Sequence, residues 1–249
     1  MKKLKKLQHD LHDAVKTLKR NPDRNTIHTF RVAVKKMRAH LRLLAKEKKK
    51  KLPRKIKALY QAAGDFRNIE LHTDAINSIF AASQQPTAYL VFLETERKKR
   101  LKKFQTALDN VKLSKIKNVL PRKATDKNVV DGLPGFTRIK QQEVRTTVHK
   151  KIMNDNDLHQ VRKDLKDIMY TTDDDKKNSQ KTKNRKQLAD KLGEFMDRST
   201  SLSFFKQTWL KKISVFERKR MEKVYQEWKF KKENLKNILS AELKTEGNI

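Results

Sequence analysis

The chain has 249 residues, with 62 Lys and Arg against 29 Asp and Glu, a formal charge of +33; a compact state must withstand strong self-repulsion, and a polyanionic partner is the direct explanation of the imbalance. Hydrophobic residues at 36%, with only five Gly and five Pro, supply a helical core and argue against disorder along the whole length. The lack of Cys excludes disulfides and thiolate metal sites, and neither a bilayer-length apolar run nor an apolar segment after the Lys-rich start is present, so a soluble, cytoplasmic chain is expected.

Apolar residues recur at three- and four-residue intervals, whereas strand-like alternation is short and rare, which predicts an all-α fold. Pro22, Pro53 and Pro86 divide the first half into helices over about 2–18, 26–50, 54–82 and 87–117, an antiparallel four-helix unit spanning 1–120. Pro121, Gly132, Pro134 and Gly135 are the densest cluster of helix breakers and predict a link over 121–135. Helices are expected again over 138–153, 157–171, 182–205 and 206–243, a second four-helix half within 136–249, with a polar loop over 173–183. Trp209, Phe216 and Trp228 read as core residues.

The second expected helix carries two stripes. Ile27, Phe30, Val34, Met37, Leu41 and Leu44 have the spacing of a buried face, and His28, Arg31, Lys35, Arg38 and Arg42 repeat it displaced by one residue, about 100° around the helix. The pattern recurs: Leu158, Val161, Leu165 and Ile168 form a core stripe flanked by His159, Arg162 and Lys166. Downstream, Leu59, Gly64, Phe66 and Asn68 match Leu188, Gly193, Phe195 and Asp197.

A single basic run beside a core stripe is ordinarily a solvated helix face. Repetition of His, Arg and Lys at fixed offsets points instead to donors spaced along a rigid edge, suited to gripping successive phosphates. Each His follows candidate caps, Asn25 and Thr26 in one copy and Asn156 and Asp157 in the other, whose neighbouring backbone N–H groups would assist an anion. A buried structural role for either His is the competing reading, and Gly64 and Gly193 read as helix-packing points.

The segment His28-Thr29-Phe30-Arg31-Val32-Ala33-Val34-Lys35-Lys36-Met37-Arg38 with Leu59 through Asn68, and His159 through Tyr170 with Leu188 through Asp197, resembles the CHAD domains, α-helical domains named for conserved histidines. The resemblance covers nearly the whole chain. It implies one CHAD-like domain over 1–249 and two four-helix bundles related by a pseudo-twofold axis. A basic central surface would bind inorganic polyphosphate, bringing association with polyphosphate granules. Carried over residue by residue, it implies ligand contacts from His28, Arg31, Lys35, Lys36, Arg38, Arg42 and Arg67, and from His159, Arg162, Lys163 and Lys166. Met169 stands where an Arg usually precedes the Tyr, and Asn68 where an Asp usually follows the Arg, so weaker anion binding by the second copy is expected.

Glu94-Thr95-Glu96-Arg97-Lys98 looks like the ExExK signature of triphosphate-binding tunnel enzymes. That signature requires a strand. The flanking apolar spacing here predicts a helix, on which alternate side chains diverge by about 200°. No P-loop, dinucleotide loop, nucleophile elbow or HExxH pattern is present. The expectation is therefore non-enzymatic polyphosphate binding without metal or cofactor. The alternatives are an RNA-binding helical protein, which lacks its usual modules and stacking pattern, and a polyphosphate-processing enzyme.

Overall fold

Leu4, Leu7, Leu11, Val15 and Leu18 repeat every three or four residues, and helix α1 (Lys2–Arg20) buries all of them along one face, leaving Lys5, Lys6, Lys16 and Lys19 in water. The structure, a computed structural model, describes residues 2–45, 51–81, 84–121, 123–172, 180–205 and 213–245. Seven further helices follow: α2 (Arg24–Leu43), α3 (Arg54–Asn77), α4 (Thr87–Asp109), α5 (Asp126–Val148), α6 (Asp155–Thr172), α7 (Gln180–Phe205) and α8 (Val215–Thr245). A 3₁₀ turn, Leu113–Asn118, closes the first half, and no strand occurs among the described residues.

Local chemistry sets the ends of the two repeated helices. Asp23 caps α2, accepting the Thr26 N–H at 2.8 Å, while Thr26 Oγ1 accepts the Asp23 N–H at 3.0 Å. Asn154 and Asp157 make the same reciprocal pair at the start of α6, at 3.0 and 2.9 Å. The caps therefore lie upstream of Asn25 and Asn156, where they were expected, and Thr26 and Asp157 close the boxes from inside the helices. Each His sits five residues beyond its cap, so its own N–H lies inside the helix ladder and the expected backbone assistance is displaced by a turn.

The expected link over 121–135 is corrected. Helix α5 starts at Asp126 behind a Thr125–Asn128 capping box and runs through Gly132, Pro134 and Gly135. An interior Pro costs about 3 kcal/mol, but the carbonyl it leaves without a partner, that of Val130, lies on a face where both residues are exposed to water. Packing of Val129, Val144 and Val148, all buried, opposes that cost. Helix α8 starts later than expected, at Val215. The reading of Phe216 as core is also overturned, since it is 73% exposed; Trp228 is part-buried against a core cluster, and Trp209 lies outside the described residues. Of the expected polar loop, 173–179 lies outside them too, and 180–183 form the first turn of α7.

Each half draws a core from its four helices. In the first, Leu11, Val15, Phe30, Val34, Met37, Leu59, Phe66 and Phe104 interdigitate; in the second, Val144, Leu158, Val161, Leu165, Leu188, Phe195 and Leu239 do so. A third cluster spans the halves, where Ile69, Tyr89 and Leu93 meet Phe204, Phe205, Met221 and Val224. His72 is wholly buried there, 2.6 Å from the Tyr89 hydroxyl and ringed by Phe204, Phe205 and Trp228. Burial pushes its pKa down to about 3, so it serves as a neutral core group. Helix α2 packs against α6 and α3 against α7, which makes the two basic helices neighbours.

Candidate functional site

The core stripes anchor the basic edges. Ile27, Phe30, Val34 and Met37 on α2, and Leu158, Val161, Leu165 and Ile168 on α6, have almost no exposure, so each helix is fixed in rotation about its axis. The neighbouring edge, one residue further round, must then emerge beside the α2–α6 contact.

Lys35 reports what meets there. Its pKa is pushed down to about 8 by burial and then by the positive charges of Arg162, Arg31, Arg67 and Lys166. Two of these come from α6, more than a hundred residues away in sequence, so the duplicated motifs share one neighbourhood. His28 is lowered by burial and by Arg67, Lys35 and Arg31. Arg31 is lowered chiefly by burial, with Arg67 adding to it and Tyr60, Asp65 and Asp197 opposing. His159, on the same edge of α6, is lowered by burial, Lys163 and Arg162. Both imidazoles are thus neutral near pH 7, each with one ring N–H to donate.

Part of this donor set has no partner. Arg162 Nε and His159 Nδ1 are buried without a hydrogen bond among the described residues. Leaving a charged donor buried and unsatisfied is costly, and a bound oxyanion would offset the repulsion around Lys35.

The two glycines supply seats for the motif arginines. A Cβ on Gly64 would lie 2.2 Å from Arg31 Nη1, and one on Gly193 would lie 3.4 Å from Arg162 Nε and Nη2. Arg31 Nη1 also donates to the Tyr60 carbonyl at 3.1 Å, with its guanidinium 4.8 Å from the Tyr60 ring centre. Reading the glycines as contacts between helix backbones missed this: what approaches each is a guanidinium. The signal was available, since Gly recurs at the matched position of both halves. Tyr60 carried no such signal, because Ala189 occupies the matched position.

Gly64→Ala separates this role from stability. Ala favours a helix interior by about 1 kcal/mol over Gly, and the displaced group is the end of a flexible side chain, so the melting temperature should hold or rise. Arg31 must nevertheless leave its seat, and affinity for the polyphosphate that the sequence resemblance implies should fall about tenfold or more, as expected for loss of one charge-assisted hydrogen bond. Gly193→Ala, with its looser contact, should cost less. Thermal melts paired with binding titrations check both; unchanged affinity in Gly64→Ala would remove Arg31's seat from the argument.

Not every expected contact residue joins the cluster. Arg42 is engaged across the halves by Asp167, through Nε at 2.6 Å and a second bond from Nη2; burial raises the Asp167 pKa and Arg42 opposes the rise. Arg42 is therefore committed to an ion pair between the halves and stands apart from the cations around Lys35. Lys36 lies in a groove between α1 and α2 beside Asp10 and Asp13, away from the Lys35 neighbourhood. Arg38 is exposed, with its guanidinium 5.7 Å from the centre of the Tyr60 ring. Lys166 pairs with the exposed Asp190 at 3.1 Å, and Lys163 donates to Gln160. Arg67, the weakest sequence candidate, acts on His28, Arg31 and Lys35 alike. Glu94, Glu96 and Lys98 lie on α4, where Glu94 pairs with Arg97 and Glu96 with Lys99, so the tunnel-enzyme pattern does not converge.

No helix among the described residues is long and apolar enough to cross a membrane. A family model described as the CHAD domain matches residues 2–206. No curated protein and no solved structure matches the chain.

Proposed function

The chain belongs to the CHAD-domain family, which is associated with polyphosphate binding, and from that membership we propose that it binds inorganic polyphosphate at the α2–α6 cluster without transforming it. The observation that carries this reading is the surrounding of Lys35 by Arg162, Arg31, Arg67 and Lys166, in which the strongest charge influences are all cationic. In this reading the guanidinium groups of Arg31, Arg67 and Arg162 grip phosphate oxygens in pairs, Lys35 and Lys166 neutralise charge, and His28 and His159 donate single hydrogen bonds. Association with polyphosphate granules would follow from such binding.

A net charge of +33 suits RNA as well. Against RNA stands the state of Tyr60, an aromatic ring beside the cluster, which has Arg31 and Arg38 against it. The test is competition between long-chain polyphosphate and RNA matched for total phosphate, repeated across salt concentrations. Polyphosphate should displace RNA by at least tenfold at moderate salt. Equal affinity there would reduce the site to non-specific polycation binding.

A further inference from the structure

A second cationic feature lies outside this cluster. Between α3 and α4 runs an open trough of about 1100 Å³ lined by Arg54, Lys55, Lys99, Arg100, Lys102 and Lys103, with only Asp65 and Glu96 as acidic members. Lys99 is paired with Glu96 at 2.8 Å, and Arg100 Nη1 donates to the Asp65 carbonyl at 3.4 Å. Arg54, Lys55, Lys102 and Lys103 are exposed and have no acidic partner among the described residues. Ala58, Ala62 and Ala107 also line it, and their short side chains help keep the trough open.

The trough lies on the next flank of α3 from the α2–α6 cluster, a step of about 100° from Gly64 to Asp65. Asp65, on its wall, directly follows Gly64, the seat of Arg31, and its charge acts on Arg31. From Arg54 to Asp65 the wall extends about 16 Å at the rise of an α-helix. A cation-lined channel one flank of α3 away from the cluster suits an unbranched polyanion that crosses the helix at Asp65.

Resting on the function proposed above, we propose that the α3–α4 trough is a second binding segment for the same polyphosphate strand, through which the protein favours long chains over short ones. A short oligomer occupies the α2–α6 cluster alone. A long chain continues past Asp65 into the trough, and the second contact is intramolecular once the first has formed.

The experiment compares tripolyphosphate with long-chain polyphosphate at fixed ionic strength. The probes are titrated against the full chain and three variants: Arg54, Lys55, Lys102 and Lys103 all to Gln; Lys5, Lys6, Lys16 and Lys19 of α1 all to Gln; and Arg31 with Arg162 to Gln. The trough variant should lose about tenfold or more in long-chain affinity and less than twofold for tripolyphosphate. Its salt dependence for the long chain should become shallower by roughly three logarithmic units per decade of salt, as four contacts are removed. If its long-chain affinity falls no further than that of the α1 variant, the trough is ordinary basic surface and the proposal fails. Failure of the central site shows elsewhere, as unchanged tripolyphosphate affinity in the Arg31 and Arg162 variant. All substituted trough and α1 side chains are exposed, and circular dichroism verifies folding.

Discussion

Replacing Arg31, Lys35, Arg162 and Lys166 together by Gln should lower affinity for long-chain polyphosphate by about 100-fold or more, while replacing Lys5, Lys6, Lys16 and Lys19 by Gln should lower it by about threefold at most. Each variant loses four positive charges, so diffuse attraction to the molecule falls equally in both. What differs is position. The first four converge from α2 and α6 around Lys35, whereas the second four point into solvent from α1. Hydrogen bonds to charged groups contribute about 1.5–3 kcal/mol each. Four neighbouring contacts are not additive, but a combined loss near 3 kcal/mol already exceeds 100-fold. Calorimetric titration at several salt concentrations gives the comparison. Equal losses in the two variants would leave only a generic polycation.

The all-α character was legible where amphipathic periodicity is strongest: the buried stripes of α1, α2 and α6 fall on the residues that it selects. The direction of each duplicated edge was legible for the same reason, since a fixed core stripe fixes the direction of its neighbour, whereas the meeting of the two edges depends on the packing of α2 against α6. Helix ends were less so. Pro134 reads locally as a stop, yet α5 continues because the carbonyl deprived of its partner faces water while valines on the other face are buried. Phe216 reads as core by residue type, but in the first turn of α8 it lies near Arg220 in an exposed position.

Within the site, spacing along one helix could not separate donors by what lies opposite them. Arg42 continues the basic edge of α2 in perfect register and is nevertheless engaged by Asp167 of α6, a contact between residues 125 positions apart. Lys36 adjoins Lys35 in sequence, but a step of 100° turns it toward α1. Arg67 belongs to a different helix, and only the packing of α3 against α2 brings it near Lys35. Periodicity assigns a face to each residue; the neighbour on that face is a property of the tertiary fold.

Lys35→Gln should stabilise the ligand-free protein at pH 7 while weakening its hold on polyphosphate. In the folded protein the Lys35 pKa lies near 8, against an ordinary value of 10.5, because burial and four neighbouring cations disfavour its charged form. The unfolded chain therefore binds this proton more tightly than the folded one. The resulting destabilisation is fully present below about pH 8, fades as pH rises towards 10.5, and is absent above it. Its size is on the order of 3 kcal/mol at neutral pH, so a two-state melt at pH 7 should move up by roughly 6–12 °C in the variant. The gap between variant and parent should close as pH is raised towards 10.5. Polyphosphate reverses the balance, since phosphate oxygens beside Lys35 favour its ammonium form. Binding near pH 8.5 should then take up a proton, detectable as a dependence of the calorimetric enthalpy on buffer ionisation enthalpy, and Lys35→Gln should abolish the uptake. A variant no more stable than its parent at pH 7, with proton uptake unchanged, would mean that Lys35 is not the cation at the centre of the cluster.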